Sequence, residues 1–287
     1  MEIGWIGTGA LGSAIIKRLS YSFQINVWNR TTSKLTELIP FGIKKYDSLK
    51  DLYTKCDIVF ICLKGEQVYD DVLFGEHDLI KYLKPNSTII DLSTISPEKS
   101  IQLYNILKEK YGISYVECPV SGGPEGALAG SLTAITAGEE HAANEIQSIL
   151  KCFCNNVHYV GSIGKAQTIK ILNNLSESIN LLGASEVINM GIKLGLDVNT
   201  MKEVLSTTRG YSIYMGVLFD RLINPNDSIS ASLEVRLKDV ELAKKLAIQS
   251  NQWNPLGSLA DELYKIAIKK NGDYVDQTNC FNIFSDN

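Results

Sequence analysis

An α/β N-terminal domain, joined by a long helix to an all-α C-terminal domain, is the fold class the sequence predicts. Three observations predict it. Ile3 to Ile6 is a short apolar run, followed at once by Gly7-Thr8-Gly9-Ala10-Leu11-Gly12 and a helix-like stretch from Ala14 to Leu19. Strand-like and helix-like patterns then alternate as far as Gly161, the order of a largely parallel sheet. From Ala166 to about Leu194 there is no convincing helix breaker, and every later pattern is helical.

The first element is a strand, a glycine turn and a helix, the order of a Rossmann-type dinucleotide fold. Gly7 permits the tight turn, Gly9 lets the backbone approach a pyrophosphate, and Gly12 lets the helix pack close to the strand. The helix N-terminus offers N–H groups and partial positive charge to the phosphates. Three glycines alone mark any tight turn; the strand before and the helix after give these their meaning. The second strand, Gln24 to Trp28, ends in Asn29-Arg30-Thr31-Thr32. A carboxylate near this place would take the ribose 2′-OH of NAD. Asn29 is uncharged, and Arg30 with Thr31 suits a 2′-phosphate, so NADP(H) is expected over NAD(H). The same residues also read as a polar turn, with Thr31 or Thr32 capping the next helix.

A short helix is expected over Ser33 to Leu38. Asp57 to Leu63 and Ser87 to Leu92 are continuous apolar runs, as in strands covered on both faces. Pro97 opens a helix through Leu107, with Ser96 as its N-cap. Ser114 to Cys118, Leu132 to Thr136 and Val157 to Val160 read as further strands. In the long helix, Ile169, Leu172, Leu175, Ile179 and Leu182 recur at steps of three and four and predict its apolar face. Val198 to Leu205, Ile213 to Leu222, Leu233 to Ser250 and Leu256 to Lys269 follow as helices. The tail after Gly272 is polar and is expected to be loose. A dinucleotide-binding domain over residues 1–162 and a helical substrate and oligomerisation domain over 163–287 are the expected division.

Composition excludes several classes. The chain has 287 residues, 45% of them hydrophobic, with 28 basic and 32 acidic side chains and a net charge of −4. No basic stripe points to nucleic acid, and no apolar run approaches the ~20 residues of a membrane span. The sequence runs from Met1 straight into a strand, so no signal peptide is expected. The six cysteines form no disulfide framework; Cys56, Cys62 and Cys118 are expected to be buried thiols. Cys152-x-Cys154 lacks a second pair or a histidine cluster, so no metal site is expected. The cytoplasm is the expected compartment.

Three further segments carry chemistry-bearing residues. Ser121-Gly122-Gly123, inside Pro119 to Pro124, offers a hydroxyl and unhindered N–H groups that suit a carboxylate, although such a pattern is also a plain turn. Lys170 and Asn174 are four apart on the long helix and share a face; a lysine there also snorkels to water. Lys238-Asp239, read alone, is a surface charge pair.

Taken in order, these motifs resemble the β-hydroxyacid dehydrogenase family, which includes 3-hydroxyisobutyrate dehydrogenase, tartronate semialdehyde reductase and glyoxylate/succinic semialdehyde reductase. The resemblance covers nearly the whole chain. Gly7-Thr8-Gly9-Ala10-Leu11-Gly12 matches its cofactor loop, and Asp91-Leu92-Ser93-Thr94 its D-x-S-T strand end, with Thr94 near the nicotinamide. Glu117-Cys118-Pro119-Val120-Ser121-Gly122-Gly123 resembles its substrate loop. Lys170-Ile171-Leu172-Asn173-Asn174 resembles its catalytic K-x-x-N-N helix, and Lys238-Asp239 its late K-D pair. The resemblance implies hydride transfer between NADP(H) and a small β-hydroxyacid or the matching aldehyde acid, in a homodimer or homotetramer. It implies Lys170 as the acid–base residue, its pKa lowered from about 10.4 by burial and by Lys238. Asn174 would orient the substrate, and Ser121, Gly122 and Gly123 would hold its carboxylate. Leu63 and Lys238 join the glycine loop, Asn29, Arg30, Thr31 and Thr94 around the cofactor. Departures are Ala166 for a glycine, Cys118 for an alanine, Ala231 for an aromatic residue, and the segment Thr207 to Ser212, whose Arg209 and Tyr211 are candidates for setting specificity. The rival readings are an imine reductase, whose members generally lack lysine at this helix position, and a non-catalytic NADPH-binding module. A 6-phosphogluconate dehydrogenase is distantly similar, but its helical domain is larger.

Overall fold

A computed structural model describes residues 1–75 and 79–285. It divides into two compact units, residues 1–170 and 171–287. The first begins with β1 (Ile3–Ile6), α1 (Ala10–Leu19) and β2 (Ile25–Trp28). β3 (Lys44–Lys45), α2 (Leu49–Lys55), β4 (Ile58–Ile61), β5 (Thr88–Asp91), α3 (Pro97–Tyr111) and β6 (Ser114–Glu117) follow. These strands form one parallel six-stranded sheet in the order β3-β2-β1-β4-β5-β6. The order reverses between β1 and β4. That is the switch point at which open α/β sheets leave a crevice beyond the strand ends.

The strands alternate between two cores. Trp5 and Phe60 stack at 5.3 Å on one face, while Ile6, Val59 and Ile61 pack on the other. With both faces covered, the strands need apolar side chains in both directions, which is why they read as continuous runs. A second sheet follows: β7 (Val120–Ser121), then after α4 (Gly123–Ala129) β8 (Leu132–Thr136), and after α5 (Glu140–Glu145) and α6 (Gln147–Leu150) β9 (Cys154–Tyr159). β7 runs antiparallel to β8, and β8 parallel to β9. The late strands thus build a separate mixed sheet instead of extending the one largely parallel sheet expected.

Other expectations also shift. The helix expected at Ser33 to Leu38 is a 3₁₀ segment, Thr32–Phe41, that contains Pro40 and ends on left-handed Gly42. Proline lacks the N–H that a continuing α-helix requires. Thr31 stands at the cap position but its side chain makes no cap bond. The glycine-proline stretch after Ser121 begins α4 instead of remaining a loop. Ser96 does cap α3, accepting from the Lys99 N–H at 3.3 Å.

α7 (Lys165–Lys193) carries the chain from the first unit into the second. The second unit adds α8 (Val198–Leu205), α9 (Ile213–Ile223), α10 (Leu233–Gln249) and α11 (Pro255–Asn271). Asp197, Ser212, Ser232 and Asn254 cap these four helices through their side chains, each worth about 1 kcal/mol. Leu181, Ile188, Met201, Phe219, Val240 and Tyr264 form the core. The tail is not loose: Gln277–Ile283 is a 3₁₀ segment, capped by Asp276, with Gln277, Thr278 and Cys280 buried. Its polar side chains are spent on buried partners, which composition alone cannot reveal. All six cysteines are free; Cys62 and Cys152 are only half-buried. No helix among the described residues is long and apolar enough to cross a membrane.

Candidate active site

The glycine loop leaves β1 and enters α1 at Ala10, one turn earlier than the apolar pattern suggests. Gly7 has φ +97°, and a Cβ there would lie 2.2 Å from the Cys62 carbonyl oxygen. A Cβ on Gly12 would lie 2.4 Å from the Gly7 carbonyl oxygen. Around Gly9 nothing stands within 4 Å. Two glycines therefore close the turn against β4 and α1, and the middle one leaves open space at the helix N-terminus. The first turn of α1 holds no acidic residue. The Thr8 hydroxyl is buried and has no partner, a donor that burial penalises unless a ligand uses it. This cradle fits a dinucleotide pyrophosphate.

The end of β2 is tied to that loop. Asn29 Oδ1 accepts from the Thr8 N–H at 3.1 Å, and Asn29 Nδ2 donates to the Thr31 carbonyl at 2.8 Å. Arg30 and Thr31 are exposed, and no carboxylate stands at Asn29. Leu63, beyond β4, donates its N–H to Ser93 Oγ at 2.9 Å. The ends of β1 and β2, and those of β4 and β5, are thereby tied in pairs beside the switch point.

Beyond β5, Asp91 is fully buried. Its Oδ1 accepts from the Ser93 N–H at 2.9 Å, and its Oδ2 from the hydroxyls of Tyr69 at 2.6 Å and Tyr115 at 2.7 Å. Burial raises the Asp91 carboxyl above its ordinary value, against the pull of these donors. Burial, then the Asp91 charge, pushes both phenols up, so they remain donors. This set shapes the loop carrying Thr94, which is half-buried.

Ser121, Gly122 and Gly123 lie where β7 passes into α4. Ser121 pairs across from Thr133 and is half-buried. Gly122 and Gly123 have φ of +128° and +66°, conformations that side chains rarely adopt.

α7 begins at Lys165. Glu117 supplies the cap from the end of β6: its carboxylate accepts from the N–H groups of Gly164 at 2.7 Å, Ala166 at 3.1 Å and Gln167 at 3.4 Å. Ser100 donates its hydroxyl to the same carboxylate. Burial raises the Glu117 carboxyl, the hydrogen bonds lower it, and burial prevails. Ala166 is fully buried. Lys170, one turn on, is only 8% exposed; it does not snorkel. The expected apolar face holds at Leu182, which is in the core, and at Leu175 and Ile179, which pack against cores, and fails at its first two members. Ile169 and Leu172 are 41% and 55% exposed, whereas Gln167, Lys170, Asn174 and Ser178 are buried. The buried line of α7 mixes these hydrogen-bonding side chains with Ala166, Ile171, Leu181, Leu182, Ala184 and Ile188, and a search for apolar periodicity cannot register the polar half.

In the second unit, Asn174 is buried and donates Nδ2 to Asp239 Oδ2 at 2.7 Å. Asp239 also pairs with Lys238 at 2.8 Å. Asp239 is 4% exposed, so the Lys238-Asp239 pair is no plain surface pair. Arg236 lies buried beneath, donating to the Asn174 carbonyl at 3.3 Å, Glu177 at 3.0 Å and the Tyr214 hydroxyl at 2.9 Å. Arg209 is exposed, and Tyr211 packs over Gly216. Ala231 is half-buried and accepts at its carbonyl from the Gln277 N–H at 2.8 Å.

Within the first unit, then, the structure joins the glycine loop to Asn29 and the Leu63 N–H to the loop carrying Thr94; within the second it joins Asn174 to Asp239 and Lys238. Sequence reasoning missed Glu117 as a cap, Gln167, Asp91 as an anchor, and Arg236. A lone acid at a strand end and a lone arginine in a helix give no local signal.

Residues 2–161 match the family described as the NAD binding domain of 6-phosphogluconate dehydrogenase. Residues 164–284 match that described as the NAD-binding of NADP-dependent 3-hydroxyisobutyrate dehydrogenase. A 2-(hydroxymethyl)glutarate dehydrogenase of Eubacterium barkeri is 27% identical over 92% of this chain and 88% of its own. The mitochondrial 3-hydroxyisobutyrate dehydrogenase of Mus musculus is 29% identical over 97% of this chain and 85% of its own. A solved structure described as Psf3 in complex with NADP+ and 2-OPP is 38% identical, covers 99% of this chain and 100% of its own, and superposes with a TM-score of 0.94.

Proposed function

The chain belongs to the β-hydroxyacid dehydrogenase family of NAD(P)-dependent oxidoreductases, and on that premise we propose that it transfers hydride between NADP(H) and a small β-hydroxyacid or its aldehyde acid, with Lys170 as acid and base. The observation that carries the chemical role is the burial of Lys170 on the same face of α7 as Asn174. An ammonium leaves water at a large cost, and long side chains normally avoid it.

When bound, the nicotinamide gives or takes the hydride. The chain's own residues do the rest. Gly7, Gly9, Gly12 and the start of α1, with Thr8, Ala10 and Leu11, hold the pyrophosphate; Arg30 and Thr31, beside Asn29, take the 2′-phosphate. The absence of a carboxylate at Asn29 supports NADP, as does the NADP+ in the Psf3 complex. Leu63, Thr94 and Lys238 line the cofactor. Ser121, Gly122 and Gly123 hold the substrate carboxylate and Asn174 orients it. In reduction Lys170 Nζ gives a proton to the carbonyl oxygen; in oxidation it takes the hydroxyl proton. The proposal keeps residues 1–162 as the dinucleotide-binding part and 163–287 as the substrate and oligomerisation part, in a cytoplasmic homo-oligomer.

The test is NADPH and NADH oxidation with glyoxylate, succinic, methylmalonate and tartronate semialdehydes, and a cyclic imine. One aldehyde acid should turn over, with kcat/KM for NADPH at least about tenfold above NADH. Arg30→Glu should erase that margin. Lys170→Ala should lower kcat by ~10²–10⁴ and leave NADPH affinity nearly intact. Normal turnover in Lys170→Ala, or preference for the imine, overturns the proposal.

A further inference from the structure

Gln167 is fully buried, three residues before Lys170. Its Oε1 accepts from the Ile95 N–H at 3.1 Å, and its Nε2 donates to the Ser93 carbonyl at 3.0 Å. Those two backbone groups flank Thr94 on either side. The side-chain amide pairs with the loop as a strand would, through one donor and one acceptor at once. The first turn of α7 is itself fixed, because the Gln167 N–H and its neighbours are held by Glu117. With a rise of about 1.5 Å per residue, Lys170 stands roughly 4.5 Å along the axis from this clamp.

We propose that Gln167 is a positioning residue for hydride and proton delivery: by clamping the backbone around Thr94 from the turn before Lys170, it sets the spacing between the nicotinamide-side loop and the acid. This rests on Lys170 being the acid. The two deliveries must reach adjacent atoms, carbon and oxygen, in one step. Reacting groups need near-attack distances, and a 1 Å misplacement costs about 10²-fold in rate. A buried amide satisfied at both ends holds one geometry, since slipping would strand a buried donor and a buried acceptor.

Two variants separate the roles. Gln167→Met keeps the length and removes both hydrogen bonds. Gln167→Glu keeps the acceptor for Ile95 and removes the donor to Ser93. Each is assayed with whichever of the four aldehyde acids above turns over in the wild type and with NADPH, unlabelled and deuterated at the transferred position. NADPH affinity is read by fluorescence, and amide hydrogen exchange at Ile95 by mass spectrometry or NMR. Gln167→Met should lower kcat by about 10²-fold, raise the isotope effect on kcat, speed exchange at Ile95, and leave the NADPH Kd within about threefold. Gln167→Glu should fall between Gln167→Met and wild type. Wild-type kcat and isotope effect in either folded variant overturns the positioning role alone, provided that Lys170→Ala is crippled. So does a loss of turnover matched by the loss of folded protein, with an unchanged isotope effect. If Gln167→Met does not fold, Gln167→Glu decides. Normal turnover in Lys170→Ala overturns the acid and, with it, the clamp.

Discussion

The three glycines of the first turn differ in what a methyl group would meet, and that difference separates folding from binding. At Gly9, φ is −68° and the space around a Cβ is open. Alanine there is tolerated by the backbone and intrudes only on a ligand. At Gly12 the Cβ would press on the Gly7 carbonyl oxygen at 2.4 Å. Gly9→Ala should therefore leave the unfolding midpoint near wild type while raising the NADPH Kd about tenfold or more. Gly12→Ala should cost about 1–3 kcal/mol of stability, as overpacking does. Thermal unfolding with and without NADPH measures both; equal destabilisation by the two would remove the distinction. The spacing of these glycines was legible because the constraint is local: Gly7 and Gly12 each answer a clash within a few residues or with the adjacent strand, and Gly9 stands between them. Gln167 was not legible, because its partners lie 72 and 74 residues away and nothing beside it announces them.

At the scale of elements, the sequence located most helices and strands through apolar period, and it failed where the period was carried by polar groups. α7 is legible from Ala166 to Leu194 almost as observed, yet only part of its packed face is: Leu182 is buried as expected, but so are Ser178, Ser185 and Asn189, with Lys170 and Asn174. The C-terminal 3₁₀ segment failed for the same reason. Its Gln277 Oε1 accepts from Arg236 Nε at 2.8 Å and also from a terminal guanidinium nitrogen. Arg236 is 3% exposed and cannot turn to water for a replacement. Gln277→Ala should then destabilise the helical unit by about 1–3 kcal/mol, the cost of leaving a buried donor unpaired. A lower urea midpoint at constant m would record it. An unchanged midpoint would mean that the segment merely lies against the helices without securing them.

For the whole molecule, the carboxylates fall into two populations whose ionisation pulls stability in opposite directions with pH. Asp57 and Glu139 are held below their ordinary values, mainly by Lys84 and Lys108 respectively. Their stabilisation is present above the unfolded-state value and is lost as pH falls through the folded one, below about pH 4. Asp91 and Glu117 behave oppositely. Burial raises both, so between the unfolded value of about 4 and the raised one the native state binds more protons than the unfolded chain. Stability must therefore fall as pH rises through that window. The two windows lie on either side of ordinary carboxylate titration, so moving upward from about pH 4.5 samples the buried pair with little contribution from the surface pairs. Glu117→Gln removes one member, since an amide does not titrate. It also places an NH₂ where three backbone N–H groups converge, which adds a constant penalty at every pH. The difference in Tm between wild type and Glu117→Gln should consequently be largest near pH 4.5 and shrink toward pH 7.5, because only the wild type loses stability through deprotonation at this site. A difference that stays flat across that range would mean that Glu117 is ionised in both states. The cap on α7 would then be a permanently charged one, bound to its three N–H groups without any proton linkage to folding.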